Sequence, residues 1–198
     1  MNSRVYTQTA RAVAAEQTAT RIVDSMLVRF GALPYDQIRL EDVASDAGVT
    51  VQTVLRRFAS KAGLMRAMVE RELTRISTAR HASTATEPAD VIAELVTHYE
   101  TYGSLILKVY DEARLVEGLA PAVAAGRAHH LSWCRQTFVG HLDSNADEVT
   151  RERRLAQVTA ACDATTWRIL RLDAALDQDQ TRLAVVEMVT PLLTAPRR

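Results

Sequence analysis

The nineteen residues 40–58 restrict the fold more than any other part of the chain. Residues 40–47 have the apolar spacing of a two-turn helix, residues 50–58 that of a second short helix, and Gly48 lies between them. Two helices cross closely only where a small residue lies at the crossing, and Ala44 is that residue. The corner also needs a position tolerant of positive φ, which Gly48 supplies. Val49 plugs the corner, Val54 and Phe58 anchor the second helix, and Leu40, Val43 and Ala47 complete the inner face. Thr50 is placed to cap the second helix. What then faces outward is Thr50, Val51, Gln52, Thr53, Leu55 and Arg56 or Arg57.

The rest of the 198 residues read as helix too. Seven glycines and five prolines are too few for the turns of a sandwich or barrel. Ile22, Met26, Leu27 and Phe30 recur at helical spacing, predicting a helix over residues 16–33 that stops at Pro34. Ser60 is placed to cap a longer helix carrying Leu64, Met68, Val69, Leu73 and Ile76. The Ala/Ser/Thr-rich residues 81–87 mark a junction, and Pro88 opens the next helix. A break is expected near Gly103, then helices over residues 105–116, 122–142 and 148–176, and a last one ending before Pro196. About nine helices and no strand predict an all-α protein, with residues 1–63 as one domain and 64–198 as another.

Charge separates the same two regions. Net charge is zero, but residues 1–80 hold twelve Arg/Lys against eight Asp/Glu, and the remainder twelve against sixteen. A basic amino-terminal part is suited to a polyanion. The two cysteines have no metal-type spacing, so no disulfide scaffold is expected. No apolar run of membrane-spanning length and no signal peptide are visible, so a cytoplasmic protein without membrane contact is the expectation.

Short polar and methyl-bearing side chains at the front of the second corner helix suit base edges in a major groove. Gln52 suits adenine, and Val51 or a threonine methyl suits the thymine methyl. Arg57 and Lys61 are placed to reach phosphate. The alternative is a helical hairpin whose arginines form a solvated face. The run Ala-Gly-Val-Thr-x-x-Thr at 47–53, followed by Phe-x-Ser-Lys-x-x-Leu at 58–64, resembles the TetR family of transcriptional regulators. The resemblance covers about fifty residues, 19–69. It implies an amino-terminal helix-turn-helix unit and a larger ligand-sensing domain, a homodimer paired through its last two helices. It also implies repression at a palindromic double-stranded DNA operator, relieved by a small-molecule effector. Thr50, Val51, Gln52 and Thr53 match the contacting start of the family's recognition helix. Leu55 stands where the family usually has a phosphate-contacting tyrosine, so that contact is either absent or replaced by Arg56 or Arg57. Arg39 stands in place of a Thr or Ser cap and is itself able to reach phosphate.

The larger domain says less. Tyr99, Tyr102, Tyr110, His129, Trp133, Cys134 and Trp167 are amphipathic side chains on its middle helices, suited either to a ligand cavity or to core packing. His130 and Cys134 share a helix face, but no third ligand is evident, and no metal or cofactor is expected. No phosphate loop, nucleophile elbow or paired-carboxylate motif appears, so an enzyme is not expected. The competing readings are a transcriptional activator, or a helical ligand- or protein-binding dimer that has lost DNA binding.

Overall fold

The computed structural model describes the backbone of residues 3–193 and the side chains of residues 12–193. Among these residues there are nine α-helices and no strand. The helices are α1 (Ser3–Ala32), α2 (Leu40–Asp46), α3 (Val51–Phe58), α4 (Lys61–His81) and α5 (Pro88–Glu112). They continue with α6 (Ala120–Phe138), α7 (Glu148–Ala161), α8 (Ala164–Arg168), which runs on into a π-turn at Ile169–Asp173, and α9 (Gln178–Val189). The all-α reading holds.

Two compact units divide the chain, and the division falls inside α4. The first comprises Met1–Leu73 and Glu112–Ala122. Ile22, Met26 and Phe30, at helical spacing on α1, have no exposed surface, and Ile38, Val43 and Val54 are buried in the same unit. Each such side chain contributes about 1.5–3 kcal/mol by leaving water. This unit ends later than the expected boundary at residue 63. Leu64, Met65, Met68 and Val69 are buried and belong to it, because the first turns of α4 carry their apolar face inward. Residues 112–122 join it as well, through buried Val116 and Leu119. The Glu112 carboxylate accepts the Tyr35 N–H at 2.6 Å, and Arg66 donates to the Glu117 carbonyl at 2.6 Å.

The second unit comprises Thr74–Asp111 and Val123–Arg198. Its core packs Ile92, Val96 and Tyr99 of α5 with Phe138, Val158, Trp167 and Val189. Two expectations fail in it. α5 runs unbroken through Gly103, whose missing side chain makes room for an aromatic ring: a Cβ there would fall 2.6 Å from Trp167. The single helix expected over residues 148–176 is divided after Ala161. Asp163 causes the break by turning its carboxylate onto the Thr165 N–H at 2.8 Å, starting α8 afresh. The carbonyls freed by the break are paired: Tyr99 donates to Cys162 at 2.9 Å, and the Thr166 hydroxyl to Ala160 at 2.6 Å. α6 begins and ends earlier than expected, its last residues tightening into a 3-10 turn at Val139–His141.

Candidate nucleic-acid interface

The corner between α2 and α3 is built as its residue types require. Gly48 takes φ +67°, and the Val49 N–H donates to the Ala44 carbonyl at 2.9 Å. Ala44 and Val54 are buried where the helices meet, while Val49 and Phe58 are half-buried. Thr50, in extended backbone, accepts the Thr53 N–H on its hydroxyl at 3.2 Å, a cap worth about 1 kcal/mol. Arg39 precedes α2 without a side-chain cap bond and lies exposed, 3.8 Å from Glu41.

The corner is fixed to α1 by polar contacts. Arg29 forks onto both oxygens of Asp46, at 2.7 and 3.0 Å. The Ser25 hydroxyl lies 3.2 Å from Asp46 and from the Val43 carbonyl, and Arg21 donates to the Ala47 carbonyl at 3.3 Å. The hydrogen bond from Arg29 holds the Asp46 carboxyl below its ordinary range. α3 is thereby held on a rigid base.

Gln52 and Arg56 are exposed on α3, with Val51, Thr53 and Leu55 half-buried around them. Arg56 has no ion pair among the described residues. Arg57 is engaged: its guanidinium meets Glu16 of α1 at 2.9 Å. Lys61 donates to the Asp36 carbonyl at 3.3 Å and lies 4.4 Å from the centre of the Tyr35 ring, and burial lowers its pKa.

Sequence reasoning missed the joint after α3. Ala59 takes φ +64°, and the Ser60 N–H turns back to the Phe58 carbonyl at 2.8 Å, a γ-turn. Gly63 lies against that carbonyl so closely that a Cβ would overlap the oxygen. The Ser60 hydroxyl accepts the Gly63 N–H at 3.0 Å, as its cap position predicts. The only signal in the sequence was a glycine in the first turn of a helix.

Residues 28–68 match the family model described as bacterial regulatory proteins, tetR family. That segment carries the likeness to the TetR family. Solved structures share the fold over about nine-tenths of the chain. A TetR-family transcriptional regulator from Rhodococcus sp. has a TM-score of 0.67 at 16% identity, covering 90% of this chain and all of its own. The fatty acid degradation regulator FadR of Bacillus halodurans gives 0.61 at 16%, over 91% and 96%. NalD, the secondary repressor of the MexAB-OprM multidrug efflux pump in Pseudomonas aeruginosa, gives 0.61 at 18%, over 93% and 99%. No curated protein is a significant sequence match. The TetR segment contains the α2–α3 corner, so the residues singled out on α3 lie in the part of the chain that carries the family signal.

The seven ligand candidates of the second unit lie in different surroundings. Tyr99, Cys134 and Trp167 are buried in its core, the Trp167 indole donating to Glu100 at 2.9 Å. Burial raises the Tyr99 pKa well above its ordinary value. Tyr102 packs 4.8 Å from the His98 ring and takes the Arg75 guanidinium on its face at 5.1 Å. Tyr110 takes Arg127 at 4.9 Å. His129 meets the Ser77 hydroxyl at 3.0 Å, and burial lowers its pKa. Trp133 lines a cleft of about 50 Å³ with Arg80, His98, Val91 and Leu95. Arg80 and His98 were not singled out from the sequence: a basic residue and a histidine on helices carry no mark of their surroundings. No group of three or more metal-ligating side chains lies together among the described residues, and no helix among them is long and apolar enough to cross a membrane.

Proposed function

We propose that the protein is a dimeric, DNA-binding transcriptional regulator of the TetR type, a repressor released from a palindromic operator by a small molecule. The observation that carries this reading is the capped, braced α3, which presents Gln52 and Arg56 to solvent beyond a glycine corner. Gln52, with Thr50, Val51 and Thr53, reads base edges, while Arg56, Arg39 and Lys61 neutralise phosphates. Arg57 joins them by leaving Glu16, and Leu55 packs without making a polar contact.

Dimerisation through the last helices is favoured by exposed apolar side chains there. Ile169 and Leu172 of the π-turn and Leu183 and Met188 of α9 are each 44–51% exposed. Apolar side chains this exposed are suited to burial against a second copy. Two recognition helices would then meet successive major grooves about 34–36 Å apart. Effector binding in the second unit would act through α4, which carries residues of both units. NalD, a repressor by description, has the same fold.

The test is selection of the purified chain against random duplex DNA at ~150 mM salt, near physiological ionic strength. An enriched palindrome is expected. Gln52→Ala should relax preference at one base pair, and Lys61→Ala should weaken all sequences alike. No enrichment from folded, dimeric protein refutes the reading. It would favour a binding dimer without DNA function, for which the Glu16–Arg57 pair and the apolar Leu55 speak.

A further inference from the structure

Arg80, near the end of α4, is a cation without an acidic partner among the described residues. Its guanidinium carbon lies 5.5 Å from the centre of the Tyr99 ring and 5.0 Å from that of Trp133. Nη1 is 3.1 Å from His130 Nδ1. His130 Nε2 lies 3.3 Å from the Thr159 carbonyl, which only an N–H can satisfy, so Nδ1 is placed as the acceptor that Arg80 meets. Arg80 Nε is buried with no hydrogen-bond partner, and no carboxylate among the described residues pairs with the guanidinium. A desolvated charge left in this state is costly, and a counter-ion relieves that cost.

Beside Arg80 lies the cleft of about 50 Å³, walled by Val91, Leu95 and Trp133 and bordered by exposed Glu94. The same cleft holds His98, whose Nε2 is the second buried nitrogen without a partner. Burial, with the charge of Arg80 second, pushes the His98 imidazole down to about 4, so it is neutral at physiological pH. The site thus offers one positive charge, one neutral imidazole and an apolar wall.

We propose that this cleft binds a small organic monocarboxylate, its carboxylate on Arg80 and His98 and its apolar body against Val91, Leu95 and Trp133. Guanidinium and carboxylate match in geometry and charge. A phosphate dianion would leave an unbalanced negative charge next to Glu94, and a cation would meet Arg80. The proposal rests on the reading of the second unit as the effector-binding part, and it names the class of effector.

Titration calorimetry on the full chain at neutral pH tests it, with benzoate and hexanoate as probes and benzamide and hexanamide as their neutral counterparts. At least one acid should bind saturably, and its amide should bind roughly tenfold or more weakly, the loss expected for a charge-assisted pair. Arg80→Gln should lose the acid's advantage over the amide, and Arg80→Lys should keep part of it. Because Arg80 is half-buried, the comparison of acid with amide on the unmodified chain decides the matter even if a variant fails to fold. Equal binding of acid and amide, no binding of either acid at millimolar concentration, or wild-type affinity in folded Arg80→Gln would each overturn the proposal. Duplex selection without added acid separates the two readings. An enriched operator without acid binding sinks this site alone, and acid binding without an operator sinks the regulator but leaves the site.

Discussion

Gly63 in the first unit and Gly103 in the second both sit inside helices where a larger residue would collide, but the obstacles differ in kind. Against Gly63 stands a backbone carbonyl, that of Phe58, five residues earlier and already held by the Ser60 N–H. Against Gly103 stands the Trp167 ring, which arrives from a distant part of the sequence and is held by Glu100. The first unit's critical joint is therefore local, a turn that ends α3 and aims it. The second unit is assembled from groups far apart in sequence, and the same holds for its polar interior. Tyr99 bonds Cys162, Arg80 meets His130, and all five histidines of the chain lie in this unit.

If the carbonyl is the less yielding wall, Gly63→Ala should be the most damaging small substitution, costing about 3 kcal/mol in urea unfolding. Gly103→Ala should cost less, about 2 kcal/mol, because a ring can shift where a turn cannot. Both run against helix propensity, which favours alanine by about 1 kcal/mol. A larger loss at Gly103 would reverse the ranking of the two walls. Acid should separate the units next. The folded His98 pKa is depressed to about 4 from 6.5, so the unfolded chain binds the proton first and stability falls as pH drops through that window. The loss should be about 1–2 kcal/mol once solvent screening is allowed for, and His98→Phe should flatten it. The first unit contains no histidine, and the Asp46 contribution, with its pKa lowered from 3.8, persists until the pH is below that value. A matching acid loss in the first unit would break the contrast. The smallest effect is a gain: Ala59→Gly should relieve the positive φ and stabilise the chain by up to about 1 kcal/mol, read as a raised melting temperature.

This contrast also explains what was legible in the sequence. The α2–α3 corner, the Thr50 cap and the Ser60 cap each depend on residues within a few positions of one another, and all three were found. Gly103 was misread as a helix break because its reason, Trp167, lies on another helix. Asp163 resembled any acidic residue on a helix surface, and only its bond to the Thr165 N–H reveals a cap. Tyr99, Cys134 and Trp167 were recognisable as one kind of side chain, but periodicity cannot tell a core from a cavity wall. Arg80 and His98 are marked by absent partners, a property of packing that a linear pattern does not carry.

The two tryptophans, Trp133 and Trp167, both belong to the second unit. Indole emission is thus a private signal of that unit, silent about the helix-turn-helix, whereas far-ultraviolet circular dichroism sums every helix. Melting curves from the two probes would coincide only if the units unfold together. A gap between them would give the free energy at which the corner opens by itself, with no label introduced.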